Sequence, residues 1–105
     1  MTISRADLSP KLSSATESRT LDFVGDIPAG DSISTASVTA AVYSGTDASP
    51  SSLISGSASS SGTRVTQKLT GGVEGVVYQL TWSVTTAAGL VLKKPTLLAI
   101  VPSIV

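Results

Sequence analysis

The chain contains no histidine and no cysteine, which removes the side chains from which most catalytic centres are built. A Ser-His-Asp triad, a cysteine nucleophile and the usual zinc ligand set are out of reach. Carboxylates, serines and lysines remain. Asp22, Asp26 and Asp31 gather around one turn and could in principle offer oxygens to Ca²⁺. They lack the dense oxygen-ligand pattern of a calcium loop, so solvated turn aspartates are the simpler reading. The glycine-rich GGVEG at 71–75 is not a phosphate loop, because it has neither a GK[ST] ending nor a following helix. Nothing in the spacing pairs a serine with a lysine. The expectation is a protein that is not an enzyme, with no catalytic residues, no cofactor and no metal ion.

Composition points the same way. At 105 residues and 10.5 kDa the chain holds one core. Seven basic residues cancel seven acidic ones and charged residues make up only 13%, against about 25% in ordinary domains. No basic stripe is available for nucleic acid. Weak electrostatic repulsion between copies suits a protein packed against others, and equally suits a plain Ser/Thr-rich β domain. The absence of cysteine excludes a disulfide scaffold. The start, MTISRADLSPK, has no apolar core of signal-peptide type, and no window approaches a membrane span. Synthesis in the cytoplasm and no membrane partner are expected.

The elements follow from period-two alternation. Residues 1–18 carry Ile3, Leu8 and Leu12 at irregular spacing with Pro10 among them, which predicts an extended N-terminal arm, either a frayed end or a latch on a neighbour. Residues 19–105 form the domain. Leu21 and Phe23 share one face of a short strand; Pro28 and Gly30 turn the chain; Ala36, Val38, Ala40 and Val42 alternate with Ser37, Thr39, Ala41 and Tyr43. The Ser-rich stretch 46–62 reads as loop with a short edge strand near 52–56. Val65, Gln67 and Leu69 oppose Arg64, Thr66 and Lys68, and GGVEG then supplies the positive φ angles of a tight hairpin connection. The last strand, LVLKKPTLLAIV, is expected to be interrupted at Pro95, on an edge or at a bulge. No helical period is convincing. Six or seven short strands with frequent turns predict an all-β, antiparallel Ig-like β-sandwich.

The run LTGGVEGVVYQLTWSVTTAAG, residues 69–89, holds the single Trp. Tyr78, Leu80, Trp82 and Val84 fall on one face, with polar neighbours on the other. A binding platform exposes its aromatics among polar residues of the same face. Here the pattern predicts core instead, and Phe23, Val38, Val42, Leu69, Tyr78, Leu80, Trp82 and Val84 are the expected core residues.

Leu21, Asp22 and Phe23, then Gly30, Asp31, Ser32 and Ile33, then Leu69, Gly71, Gly72, Gly75, Tyr78, Thr81, Thr85, Thr86 and Gly89 together form a pattern. It resembles a family of small tailed-phage virion proteins, the fiber-tail adaptor or decoration-like group, whose hairpin has the form LSGGTxGxxYxxTxxxTTxxGR. Relatives carry an Arg after the TTxxG turn where this chain has Leu90, and a Trp where it has the segment Gly25 to Ala29. The resemblance implies an Ig-like sandwich, a structural role in the particle and no catalytic residues.

Two functional readings follow. In the first, the chain is a non-enzymatic bacteriophage virion structural protein, made in the host cytoplasm. It is a head, neck or tail adaptor or a decoration subunit that contacts capsid, neck or tail proteins in a repeated assembly as a homo-oligomer. Ile3, Leu8 and Leu12 of the arm, with Ile104 and Val105 past Pro102, are then the candidate interface residues, since an isolated domain has no need of apolar residues there. In the second, the sandwich is a binding module on the particle exterior that recognises a glycan or host-surface molecule through the Ser-rich loop 44–62 and Tyr43. An intracellular bacterial β domain unrelated to phages is the plainest alternative.

Overall fold

A computed structural model of the chain describes the backbone of residues 6–7 and all of residues 11–23 and 25–102. Among the described residues eight strands form two sheets. In chain order they are β1 (Ala6–Asp7), β2 (Lys11–Leu12), β3 (Thr16–Asp22), β4 (Ile33–Ser44), β5 (Ile54–Ser61), β6 (Arg64–Thr70), β7 (Val77–Thr86) and β8 (Val91–Val101). One sheet has the order β3-β6-β5. The other runs β8-β7-β4, with β1 and β2 added in parallel on the outer side of β8. Three strands against a β8-β7-β4 sheet is the arrangement of an Ig-like β-sandwich.

Alternation builds the interior. The inner row of β7, made of Tyr78, Leu80, Trp82 and Val84, is buried along its whole length. Its antiparallel neighbours place Val42, Ala40, Val38 and Ala36 of β4 on one side and Leu98, Thr96, Lys94 and Leu92 of β8 on the other. Val65, Gln67 and Leu69 of β6 face this row from the opposite sheet, and Leu21, Phe23, Ile27, Leu53, Val76 and Ile100 complete the core. Of the eight expected core residues, Phe23, Val38, Leu69, Tyr78, Leu80, Trp82 and Val84 lie within the buried cluster, and Val42 is half-buried against it.

Three local expectations need correction. GGVEG does not close a hairpin: β6 and β7 belong to different sheets, and residues 71–76 carry the chain from one to the other. The glycines do adopt positive φ, 64° at Gly71, 103° at Gly72 and 83° at Gly75, but such turns serve a corner as well as a hairpin. At Gly72 a side chain is also excluded sterically, because a Cβ would stand 2.8 Å from Ile100 Cγ1. The Ser-rich stretch holds a 3₁₀ turn at Pro50–Leu53 and then β5 over Ile54–Ser61, a longer and later strand than expected. Its few inward residues leave little alternation to read, and pairing with β6 orders it. Finally, β8 is continuous through Pro95. That residue pairs with Thr81 of β7, while β1 covers the other side of β8 only from Thr96 onward. The missing N–H is thus needed by neither neighbour.

Candidate functional site

Charged and polar side chains collect where the two sheets leave an open side, between β3 and β8. Lys94 lies on the inner row of β8; its ammonium is 2.8 Å from Asp26 Oδ2 and 5.4 Å from the centre of the Phe23 ring. Glu17 and Arg19, two residues apart on the inward face of β3, form an ion pair. Both pairs are partly exposed and contribute little stability by charge alone. Their effect is to cover the core and make the edge unfit for another strand, since inward-pointing charge on an edge strand discourages pairing.

Lys11 fastens β2 to this side. It is fully buried, and its Nζ donates to the carbonyls of Leu12 at 2.9 Å and Gly71 at 2.7 Å. Burial pushes its pKa down; nearby Glu17 opposes that shift and Arg19 adds to it. Ser13 N–H donates to Val101 C=O at 3.0 Å, Ala15 N–H closes a turn on Leu12 C=O at 3.1 Å, and β3 starts at Thr16. The sandwich therefore already includes residues 11–18, which the sequence assigned to the arm. Leu12 itself is half-buried in β2, in register with Val101. The other proposed interface residues, Ile3, Leu8, Ile104 and Val105, lie outside the described residues.

Two networks set the loop geometry at the ends of the sandwich. At one corner Tyr78 donates its hydroxyl proton to Asp47 Oδ2 at 2.6 Å and accepts from the Val73 N–H at 2.9 Å. A tyrosine near the start of this strand, bonded to backbone a few residues upstream, is the tyrosine corner of Ig-like sandwiches. Burial chiefly, then the bond to Asp47, raises the Tyr78 pKa; the same bond, with the Ser49 amide, lowers that of Asp47. At the other end the loop from β3 to β4 is stitched to the β7–β8 turn. Asp31 Oδ1 accepts from the Ser32 and Ala88 amides at 2.8 and 3.2 Å, Ala87 N–H donates to Ser32 C=O at 2.9 Å, and Thr86 Oγ1 accepts from Leu90 N–H at 3.1 Å. The Thr86 hydroxyl first, then these amides, holds the Asp31 carboxyl below the ordinary range. The hydroxyl makes no bond of good geometry to Oδ2, which is buried without a partner among the described residues. Pro28, Ala29, Gly30, Asp31, Ala88 and Leu90 line an open depression of about 400 Å³ there. Leu90, where the resemblance has Arg, forms part of its wall.

The arrangement is one of contact surfaces. The three turn aspartates are separated, Asp22 bonded to Thr63 and Arg64, Asp26 to Lys94 and Asp31 to its amides. Among the described residues no three acidic side chains converge on a point that could hold a metal ion. Ile54–Ser61 of the Ser-rich segment 44–62 is the strand β5 rather than loop, and Tyr43 stands exposed on β4. Sequence reasoning did not find the buried Lys11, Gln67 and Thr96. Such residues are ordinarily at the surface, and each has a partner remote in sequence: Gly71 C=O accepts from Lys11, Ser55 and Gly56 C=O accept from Gln67, and Thr96 Oγ1 accepts from Trp82.

The outcome of comparison with known proteins agrees with this picture. No curated protein matches the chain. Residues 11–99 match the family model described as Podophage GP4 fiber-tail adaptor protein gp77, so the match begins at the buried Lys11 and runs almost to the end of β8. The chain belongs to this podophage fiber-tail adaptor family and has its non-enzymatic, structural role in the phage particle.

Proposed function

We propose that the protein is a tail component that joins fibers to the tail, working as repeated copies in contact with other phage structural proteins. The family match over residues 11–99 carries this reading. On it, the sandwich is the rigid part, and the arm proper is residues 1–10, ahead of the matched region. Ile3, Leu8, Ile104 and Val105 then make contacts between subunits, with Leu12 helping to seat the arm on β8. The chain is made in the host cytoplasm and assembles into the virion there.

Mass spectrometry of purified particles tests the reading. The chain should be found in tails that carry fibers, in multiple copies per particle. Deleting residues 1–10 removes β1 but leaves Lys11, β2 and the strands β3 to β8, and should lower incorporation at least about tenfold, the loss expected if about 1.4 kcal/mol of contact resides in the arm. Absence of the chain from particles would sink the adaptor reading. Unchanged incorporation of the shortened chain would sink the role of the arm alone.

A further inference from the structure

The outer edge of β8 changes character along its length. Its first half contains Lys93, Lys94 and Pro95, which by charge and by a missing amide discourage another strand from adding. From Thr96 to Val101 the strand reads TLLAIV, with no charge, no proline and no glycine. That is the composition of segments that pair with foreign strands when their edge is bare. Ile100 N–H donates to Val76 C=O at 3.1 Å and Ile100 C=O accepts from Gly75 N–H at 3.0 Å, so the backbone groups of this residue point toward β7. Those of Leu97, Ala99 and Val101 therefore point the other way, to the outer edge. The N-terminal arm lies along this half. β1 sets Ala6 beside Thr96 and Asp7 beside Leu97, and β2 sets Lys11 beside Ile100 and Leu12 beside Val101. Its cover begins at the residue after Pro95 and ends at the last residue of β8.

We infer that β1 and β2 form a guard strap, which occupies the outer edge of β8 over Thr96–Val101 and keeps strands of other molecules from adding there, with Lys11 as its clasp. The ladder alone is a weak hold. It consists of two pairings of two residues each, in the parallel geometry that is slightly less stable per residue. The clasp adds to it. Lys11 is fully buried, and its Nζ donates to Gly71 C=O at 2.7 Å and to Leu12 C=O at 2.9 Å. Gly71 opens the corner 71–76, and Gly75 and Val76 of that corner hold the end of β8 through Ile100. Ser13 binds the same place twice, its N–H donating to Val101 C=O at 3.0 Å and its hydroxyl to Glu74 Oε2 at 2.9 Å. Strap and edge are thus fastened to one corner, and the two directed bonds of the ammonium fix which residues of the strap meet β8. An apolar side chain would fill the space without fixing that register. The guard role rests on the fold alone, and can fail while the adaptor reading stands.

Lys11→Ala in the full chain removes both bonds of the clasp and tests the inference. With circular dichroism and Trp82 fluorescence unchanged, the amides of Leu97 and Val101 should exchange at least about tenfold faster than in the native chain, as expected for local opening. Amides of Leu80 and Trp82, at the centre of the sheet, should keep their protection. Sedimentation velocity should show association of the variant at concentrations where the native chain shows none. Adding Ala99→Lys places an ammonium on the outer row of the bared edge and should abolish that association while the edge amides stay fast. If Lys11→Ala does not fold, urea below the unfolding midpoint serves in its place. The native chain should then associate as the Leu97 and Val101 amides lose protection, and Ala99→Lys alone should slow this at least about tenfold. Edge amides that Lys11→Ala leaves unchanged, a bared edge that stays monomeric, or association that Ala99→Lys does not reduce overturns the inference.

Discussion

Replacing Thr96 by Val keeps the shape of the side chain and removes the acceptor for the Trp82 indole N–H, now 2.9 Å from the Thr96 hydroxyl. Both residues are wholly buried, so the indole N–H would be left without a partner. Thr96→Val should cost about 1–3 kcal/mol, read as a lower urea midpoint, with the melting temperature falling by about 4–8 °C per kcal/mol. The titrating residues set the pH limits. Asp31 and Asp47 have folded pKa values below the ordinary carboxylate range. Their contribution is complete above the unfolded value, about 3.9, and is lost as pH falls through the folded values. Stability should therefore decline in acid below about pH 4, and Asp47→Asn should remove part of that decline. Tyr78 shifts upward, so the bond of its neutral phenol is complete below about pH 10 and is lost as pH rises through the folded value. Lys11 has the opposite sign: its lowered value makes the buried ammonium a cost that eases at high pH. In Tyr78→Phe the alkaline loss should disappear, as urea midpoints measured across the range would show. The residues of β7 that face the core are legible in the sequence, because strict alternation leaves them one place to go. Thr96 and Lys11 are not, since burial of a polar residue depends on partners that no local pattern names.

Strands are legible more readily than their partners. The period of two marks β4, β6, β7 and β8 whether the next strand lies beside them or across the interior. For that reason a hairpin was expected at 71–75, where a corner exists. Gly72 separates the two possibilities physically. In an open hairpin turn its substitution would meet only the backbone cost of a positive φ; here a methyl group also strikes Ile100 Cγ1 and Cδ1, at 2.8 and 2.9 Å. Gly72→Ala should lower stability by more than about 1 kcal/mol, above the usual glycine effect. Gly30→Ala, with φ 88° and open space around the position, should cost less; equal losses in urea titrations would contradict the corner geometry. β5 was the least legible element. Gln67 explains how it is accommodated: its Nε2 lies 3.1 and 3.2 Å from the carbonyls of Ser55, the last residue in register before the shift, and Gly56, the first beyond it.

For the molecule as a whole, the class of function came from what the composition lacks, and its setting came from a motif spread over both sheets. Most catalytic centres are built from histidines, cysteines or clustered acids, and the chain has none of the first two. Adaptor and receptor-binding sandwiches share the same interior, so interior residues could not separate them, whereas membership of the fiber-tail adaptor family does. The ends of the chain, where the proposed contacts fall, carry few periodic residues and were the hardest part to place.

The β3–β6 ladder has a consequence for biosynthesis. Thr16 pairs with Thr70, and β7, which supplies most of the interior, follows later still. A ribosome adding about 5–20 residues per second needs roughly 3–10 s to travel between those two threonines. Throughout that interval the early strands have no sheet to join and depend on solubility alone. Their Ser- and Thr-rich outer rows serve the nascent chain before they serve the finished subunit. Once complete, the released chain should still close on the slow, millisecond-to-second scale of long-range β topologies, observable by stopped-flow refolding.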